Sequence, residues 1–184
     1  MDGPDRLPGV RPRVTIGRRL DQAARASFPV ACTLLLMFIS VAPLGLPMQA
    51  VLLPALTLGS VWFWALYRPA ALPPPLVFLI GVLLDLLGYM PLGSGVLILL
   101  IVYAIAMRLR RGLVRQRFPL VWLTFAAVGV GAAALGWALT SLLRFVLLPP
   151  APALFQAAMT VAVYPALSVM FSRAHGSVAD PTQA

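Results

Sequence analysis

The chain contains no lysine and no glutamate, one cysteine and one histidine. Each scarcity excludes something. Cys32 alone cannot form an intrachain disulfide, so no covalent framework holds the fold and its role is packing. His175 stands in a polar stretch near the C-terminus with no second ligand beside it, and reads as a solvated side chain. HExxH, Cys/His clusters, glycine-rich phosphate loops and a serine with a histidine partner are all missing, so no metal site and no cofactor are expected. The lack of an ATP-binding motif argues against a self-powered pump. Charged residues make up only 10% of the chain, against about 25% in soluble globular domains.

Apolar residues fill the remaining space. They form 61% of the 184 residues, enough for one membrane domain. Six apolar stretches follow one another at 28–46, 48–67, 75–89, 92–107, 119–148 and 153–171. A crossing needs about 20 residues for ~30 Å of hydrocarbon. The third and fourth stretches are short alone and too long as one. Tyr89-Met90-Pro91-Leu92-Gly93-Ser94-Gly95 between them predicts a tight turn: Pro91 cannot extend a helix, and Gly93 or Gly95 can take positive φ. The expected fold is all-α, a polytopic bundle of six transmembrane helices over 28–171. Residues 1–27 form a basic tail, and 172–184 a short second tail. The fifth stretch is long enough to tilt.

All 14 positive charges are arginine, and the net charge is +9. The arginines cluster beside apolar stretches, which argues for a membrane and against nucleic acid. With six crossings, one side collects Arg6, Arg11, Arg13, Arg18, Arg19 and Arg25, then Arg68, then Arg108, Arg110, Arg111, Arg115 and Arg117, then Arg173. The other side holds only Arg144. By the positive-inside rule both termini are cytoplasmic. The basic N-terminal segment is long and no small-residue cleavage site follows the first apolar core, so that stretch reads as a retained anchor. Residues 15–26 read either as a basic amphipathic helix at the membrane surface or as a solvated tail.

Asp85 is the only acidic residue between Asp21 and Asp180. A carboxylate within a membrane span costs about 2.5–3.5 kcal/mol on insertion scales, so its presence needs a reason. Gly81, Asp85 and Gly88 share one helix face, and the glycines permit close approach by a neighbour. Asp85 is therefore expected to point into the bundle. Two roles are open: a carboxylate that binds a ligand or steers a conformational change, or structural glue that caps nearby turn amides or pairs with an arginine. One carboxylate cannot supply a paired acid and base, so no enzyme is expected. On the fifth stretch Ala132, Gly136, Thr140 and Arg144 recur every four residues, beside a second small pair, Gly129 and Ala133. This face marks a helix-packing surface. It offers Arg144 as an ion-pair partner for Asp85, the alternative being that Arg144 snorkels to the outer interface.

Trp62, Trp64 and Tyr67, and Trp122 at the start of the fifth stretch, read as an interfacial aromatic belt, with Trp137 as a packing residue. Pro54 and Pro165 each free a carbonyl four residues upstream and kink their helices.

Tyr67-Arg68-Pro69, Pro73-Pro74-Pro75 with Phe78, Gly81 and Asp85 at Gly-x-x-x-Asp spacing, and Pro91-Leu92-Gly93 stand in order over 67–95. In these elements the chain resembles the rod shape-determining protein MreD family. The Arg-rich N-terminal tail departs from the family pattern. The resemblance implies a multi-pass protein of the bacterial cell inner membrane, a non-enzymatic scaffold or regulator of the peptidoglycan elongation machinery that maintains rod shape. It implies an MreC-type periplasmic partner and, through it, MreB-like filaments and RodA with a penicillin-binding protein. It also implies a fold similar to the substrate-binding subunits of energy-coupling-factor transporters. A membrane subunit binding a vitamin-type small molecule is the alternative. It would draw on Asp85, Arg144, Thr140, Gln49, Thr57, Ser60, Gln156 and Thr160 for polar contacts. A lipid-handling enzyme is a third reading.

Overall fold

A computed structural model describes residues 16–42, 49–88 and 91–179, with side chains for 27–42, 50–88 and 91–173. The expectations for the N-terminal arginines, for Tyr89 and Met90 of the turn, and for the side chains of Gln49 and His175 fall outside these residues.

Among the described residues the chain is all-helical. Six α-helices run in order: α1 Ile16–Val41, α2 Gln49–Tyr67, α3 Pro74–Leu87, α4 Ser94–Leu113, α5 Phe118–Leu143 and α6 Ala151–Ala179. A single 3₁₀ turn, Pro69–Ala71, separates α2 from α3. Three segments are long and apolar enough to cross a membrane: Ala50–Tyr67, Phe118–Leu143 and Ala151–Arg173. Ser27–Val41 and Pro74–Leu87 are shorter apolar helices. Leu79, Leu86, Leu123, Leu142 and Leu154 are each at least 59% exposed, an apolar surface suited to lipid rather than water.

Proline and glycine set the ends. Pro74 and Pro75 open α3, where a proline lacks only an N–H that would be unpaired anyway. Gly88 stops α3, its N–H donating to Leu84 O at 2.8 Å. Gly93 caps α4 with φ +92°, a backbone state that glycine adopts without strain.

Besides α4, which runs six residues past its apolar stretch to Leu113, three boundaries differ from expectation. Helix α1 already begins at Ile16, so 16–26 continue the first apolar helix instead of forming a separate element. Helix α5 stops at Leu143, five residues short of the apolar stretch. There Phe145 takes φ 52°, and the Val146 N–H turns back to Ser141 O at 3.2 Å. Trp137 Nε1 then donates to Leu148 O at 3.0 Å, fastening the turn against the helix it leaves. Helix α6 runs past Phe171 to Ala179, through residues expected as tail.

Helix α2 is the axis of the bundle. It packs on α1, α4 and α6, and more lightly on α3. Every residue from 57 to 66 is buried. A helix that is apolar on all sides buries all sides. This corrects the aromatic-belt expectation for Trp62 and Trp64, which are both fully buried. Trp62 lies 5.9 Å from the Phe125 ring, and Trp64 lies 5.0 Å from Phe171 and 6.0 Å from Phe28. Tyr67, one turn on, is 43% exposed and fits the end of the helix.

These ring contacts gather the start of the apolar part of α1, the end of α2, the start of α5 and the later half of α6 at one end. The Arg110 Nε, in the last turn of α4, donates to Leu66 O at 2.7 Å and brings that helix to the same end. It satisfies a carbonyl of the last turn of α2, where a cation also complements the helix dipole. Described arginines other than Arg144 belong to this end.

Candidate functional site: the Asp85 turn

The site is built by two antiparallel helices and the turn that joins them. Gly81 makes the approach possible. A Cβ there would lie 2.7 Å from Val96 Cα, so only glycine lets α3 and α4 pack at this distance. One turn later Asp85 points at the start of α4. It is 5% exposed. Its Oδ2 accepts from the Gly93 N–H at 2.7 Å and its Oδ1 from the Gly95 N–H at 2.8 Å, with a longer contact from the Val96 N–H at 3.4 Å. A Cβ at Gly95 would overlap the Asp85 carboxylate.

The first amides of a helix have no intrahelical acceptor, and α4 has no side-chain cap from its own N-cap residue. Asp85 supplies that cap from the neighbouring helix. Hydrogen bonds to a charged group contribute about 1.5–3 kcal/mol each. The two short ones therefore match or exceed the ~2.5–3.5 kcal/mol cost of placing the carboxylate there. The helix dipole adds to the same side. Of the two roles open to Asp85, its geometry is that of structural glue. Ser94, beside the cap, is buried with its Oγ unpartnered. Gly88 and Pro91 bound the turn, the Pro91 carbonyl accepting from the Ser94 N–H at 3.1 Å.

Arg144 is not brought to Asp85. It is exposed, at the C-cap of α5, and no ion pair joins the two. The reason is helix order: α3 packs on α4, α1 and α2, whereas α5 packs on α6 and α4. The small-residue face of α5 accordingly serves α6. Gly129 faces Thr160, whose Cγ2 would meet a Cβ at 3.4 Å. Ala132 and Gly136 are buried on this face, and Thr140 is half-buried with its hydroxyl donating to Gly136 O at 2.7 Å. Arg68 and Pro69 form the entry to the 3₁₀ turn at the arginine-rich end, away from Asp85.

The polar groups available to a small-molecule site are occupied by the fold. Thr57 and Ser60 donate to Leu53 O and Leu56 O within α2. Thr160 donates to Gln156 O, and the Gln156 amide donates across to Val51 O at 3.1 Å. The cavity these helices enclose near Leu84, Gly95 and Gln156 measures about 30 Å³, room for about one water.

Beyond the Gln156–Val51 bond between α6 and α2, two more cross-helix contacts were not foreseen. One is the Arg110 cap on α2. The other is Trp122, expected in the belt, whose Nε1 donates to Val161 O at 3.1 Å. Pro165 removes the N–H that would otherwise bond this carbonyl, so the signal was present in the proline four residues on. No family model, curated protein or solved structure matches the chain.

Proposed function

We propose that the protein is a non-enzymatic membrane scaffold of the peptidoglycan elongation machinery, similar in role to MreD, crossing the inner membrane six times with both termini in the cytoplasm. The observation that carries this reading is the convergence of the motif elements. Gly81, Asp85, Pro91 and Gly93 lie apart in sequence yet form one unit in which a glycine admits α4 and a carboxylate fixes its start. Such a unit sets the shape of a bundle. That is what a scaffold needs when its product is the arrangement of other proteins, here an MreC-type protein and, through it, MreB-like filaments, RodA and a penicillin-binding protein.

The arginine-rich end supports the topology. An α1–α6 bundle with every helix crossing puts all described arginines but Arg144 on one side, as the positive-inside rule requires. A fold of the energy-coupling-factor subunit type is our reading of the six helices, four of which pack on the buried α2. The cavity beside Gln156 and Thr160, two of the polar residues the vitamin-binding alternative would draw on, measures only ~30 Å³, against about 300–1,000 Å³ for drug-sized ligands, and counts against a ligand at that place.

Depletion in a rod-shaped host tests the reading. Cells are expected to round up, and the chain to co-purify with the single-span MreC-type protein. Cells that stay rod-shaped while losing uptake of a nutrient would overturn it.

A further inference from the structure

A cleft of about 460 Å³ opens at the arginine-rich end, between the end of α2, the start of α5 and the later half of α6. Its walls are Phe63, Trp64 and Tyr67 from α2, Phe118 from α5, and Val169 and Ser172 from α6. Its depth follows from those residues. The three membrane-length segments end at Tyr67, Phe118 and Arg173, all at this cleft. It therefore sits where hydrocarbon gives way to headgroups.

Its charge is one-sided. Arg117 precedes Phe118 in the chain and Arg173 follows Ser172, and both are exposed. Among the residues whose side chains are described, 27–42, 50–88 and 91–173, the one acidic residue is Asp85, at the opposite end of the bundle and already bonded to α4. Trp64, in the cleft wall, has an indole N–H with no acceptor among the described residues. An apolar, aromatic-walled cleft, open on one side and with an exposed arginine next in the chain to two of its lining residues, is complementary to a molecule with a hydrocarbon body and a phosphate head.

We propose that this cleft binds an anionic membrane phospholipid, with an acyl chain against Phe63, Tyr67 and Phe118 and the phosphate held by Arg117 and Arg173. Basic pockets between helices on the cytoplasmic side take anionic headgroups by this chemistry. Arginine suits it because its planar fork grips a phosphate through two parallel hydrogen bonds. The inference stands apart from the scaffold reading and holds for any function of the bundle.

The test uses the full chain in vesicles of phosphatidylcholine with a minor fraction of phosphatidylglycerol, followed by mild extraction and native mass spectrometry of retained lipid. The wild type is expected to retain phosphatidylglycerol selectively. Arg117→Gln with Arg173→Gln should lower that retention by about 30-fold, the combined effect of two arginines near an anionic headgroup. Arg108→Gln with Arg111→Gln removes the same charge at the same end but outside the cleft, and should change it less than about threefold. Val169→Trp fills the cleft without altering charge and should also abolish selective retention. Equal losses from the two arginine pairs would reduce the effect to a general basic surface and overturn the proposal. So would undiminished retention in Val169→Trp, or equal retention of phosphatidylcholine by the wild type.

Discussion

The indole N–H of Trp122 on α5 donates to the carbonyl of Val161 on α6, the acceptor that Pro165 strips of its own helix donor. A buried or lipid-facing carbonyl without a partner is costly, and the neighbouring helix removes that cost. The contact also fixes the rotation of α5 against α6 near their arginine-rich end.

Trp122→Phe should therefore destabilise the bundle by about 0.5–1.5 kcal/mol, the range for interhelical hydrogen bonds in membranes. In a Pro165→Ala background the backbone N–H restored at position 165 can take the Val161 carbonyl, and the same change should cost almost nothing. Reversible unfolding in mixed micelles measures both arms of the cycle. Equal costs in the two backgrounds would show that Trp122 acts by packing alone.

Asp85→Ala leaves the Gly93 and Gly95 amides without an acceptor and should cost about 2–6 kcal/mol, at 1–3 kcal/mol for each buried amide left unsatisfied. Asp85→Asn keeps one acceptor oxygen and should cost roughly half as much. Arg144→Ala should fall within about 0.5 kcal/mol of the wild type, as exposed substitutions do. The double exchange Asp85→Arg with Arg144→Asp should be no better than Asp85→Arg alone. Recovery in that double variant would establish a pairing that the helix order does not provide.

The glycines separate by what surrounds them. Gly81→Ala drives a methyl into Val96 and should cost about 1–3 kcal/mol, the usual penalty of overpacking. Gly131→Ala meets nothing within 4 Å and should be neutral or stabilising by up to about 1 kcal/mol through helix propensity. Thermal unfolding of the two variants side by side tests the contrast.

Arg110→Gln leaves the last turn of α2 without its cationic cap and should lower stability by about 1 kcal/mol, whereas Arg111→Gln, exposed on the next position, should not. Matching losses at both positions would count against the Leu66 contact.

Much of this was legible in the chain. Apolar stretches located all six helices, because hydropathy and length are local properties. The turn after α3 and the inward aim of Asp85 were equally readable from Gly81, Pro91 and Gly93. What sequence spacing could not supply was which helix stands beside which. Spacing offers Arg144 as a partner for Asp85, but α3 packs on α4, α1 and α2 whereas α5 packs on α6 and α4, and spacing along a helix says nothing of lateral order. Trp62 and Trp64 look like a belt because they approach a helix end. They are core because four other helices surround α2, a fact that depends on the whole bundle. The end of α5 was missed for a different reason: 144–148 remain apolar, and only the backbone reversal at Phe145 stops the helix.

The all-round burial of α2 has a consequence for biosynthesis. This helix leaves the ribosome before α5 and α6, yet those two helices supply the surface that covers Gly59 and Trp62. Until α5 and α6 are made, the face of α2 that they cover meets lipid or a helper protein. Nascent chains halted before Ala151 should thus be substrates for membrane proteases, and adding α6 should relieve them of that fate.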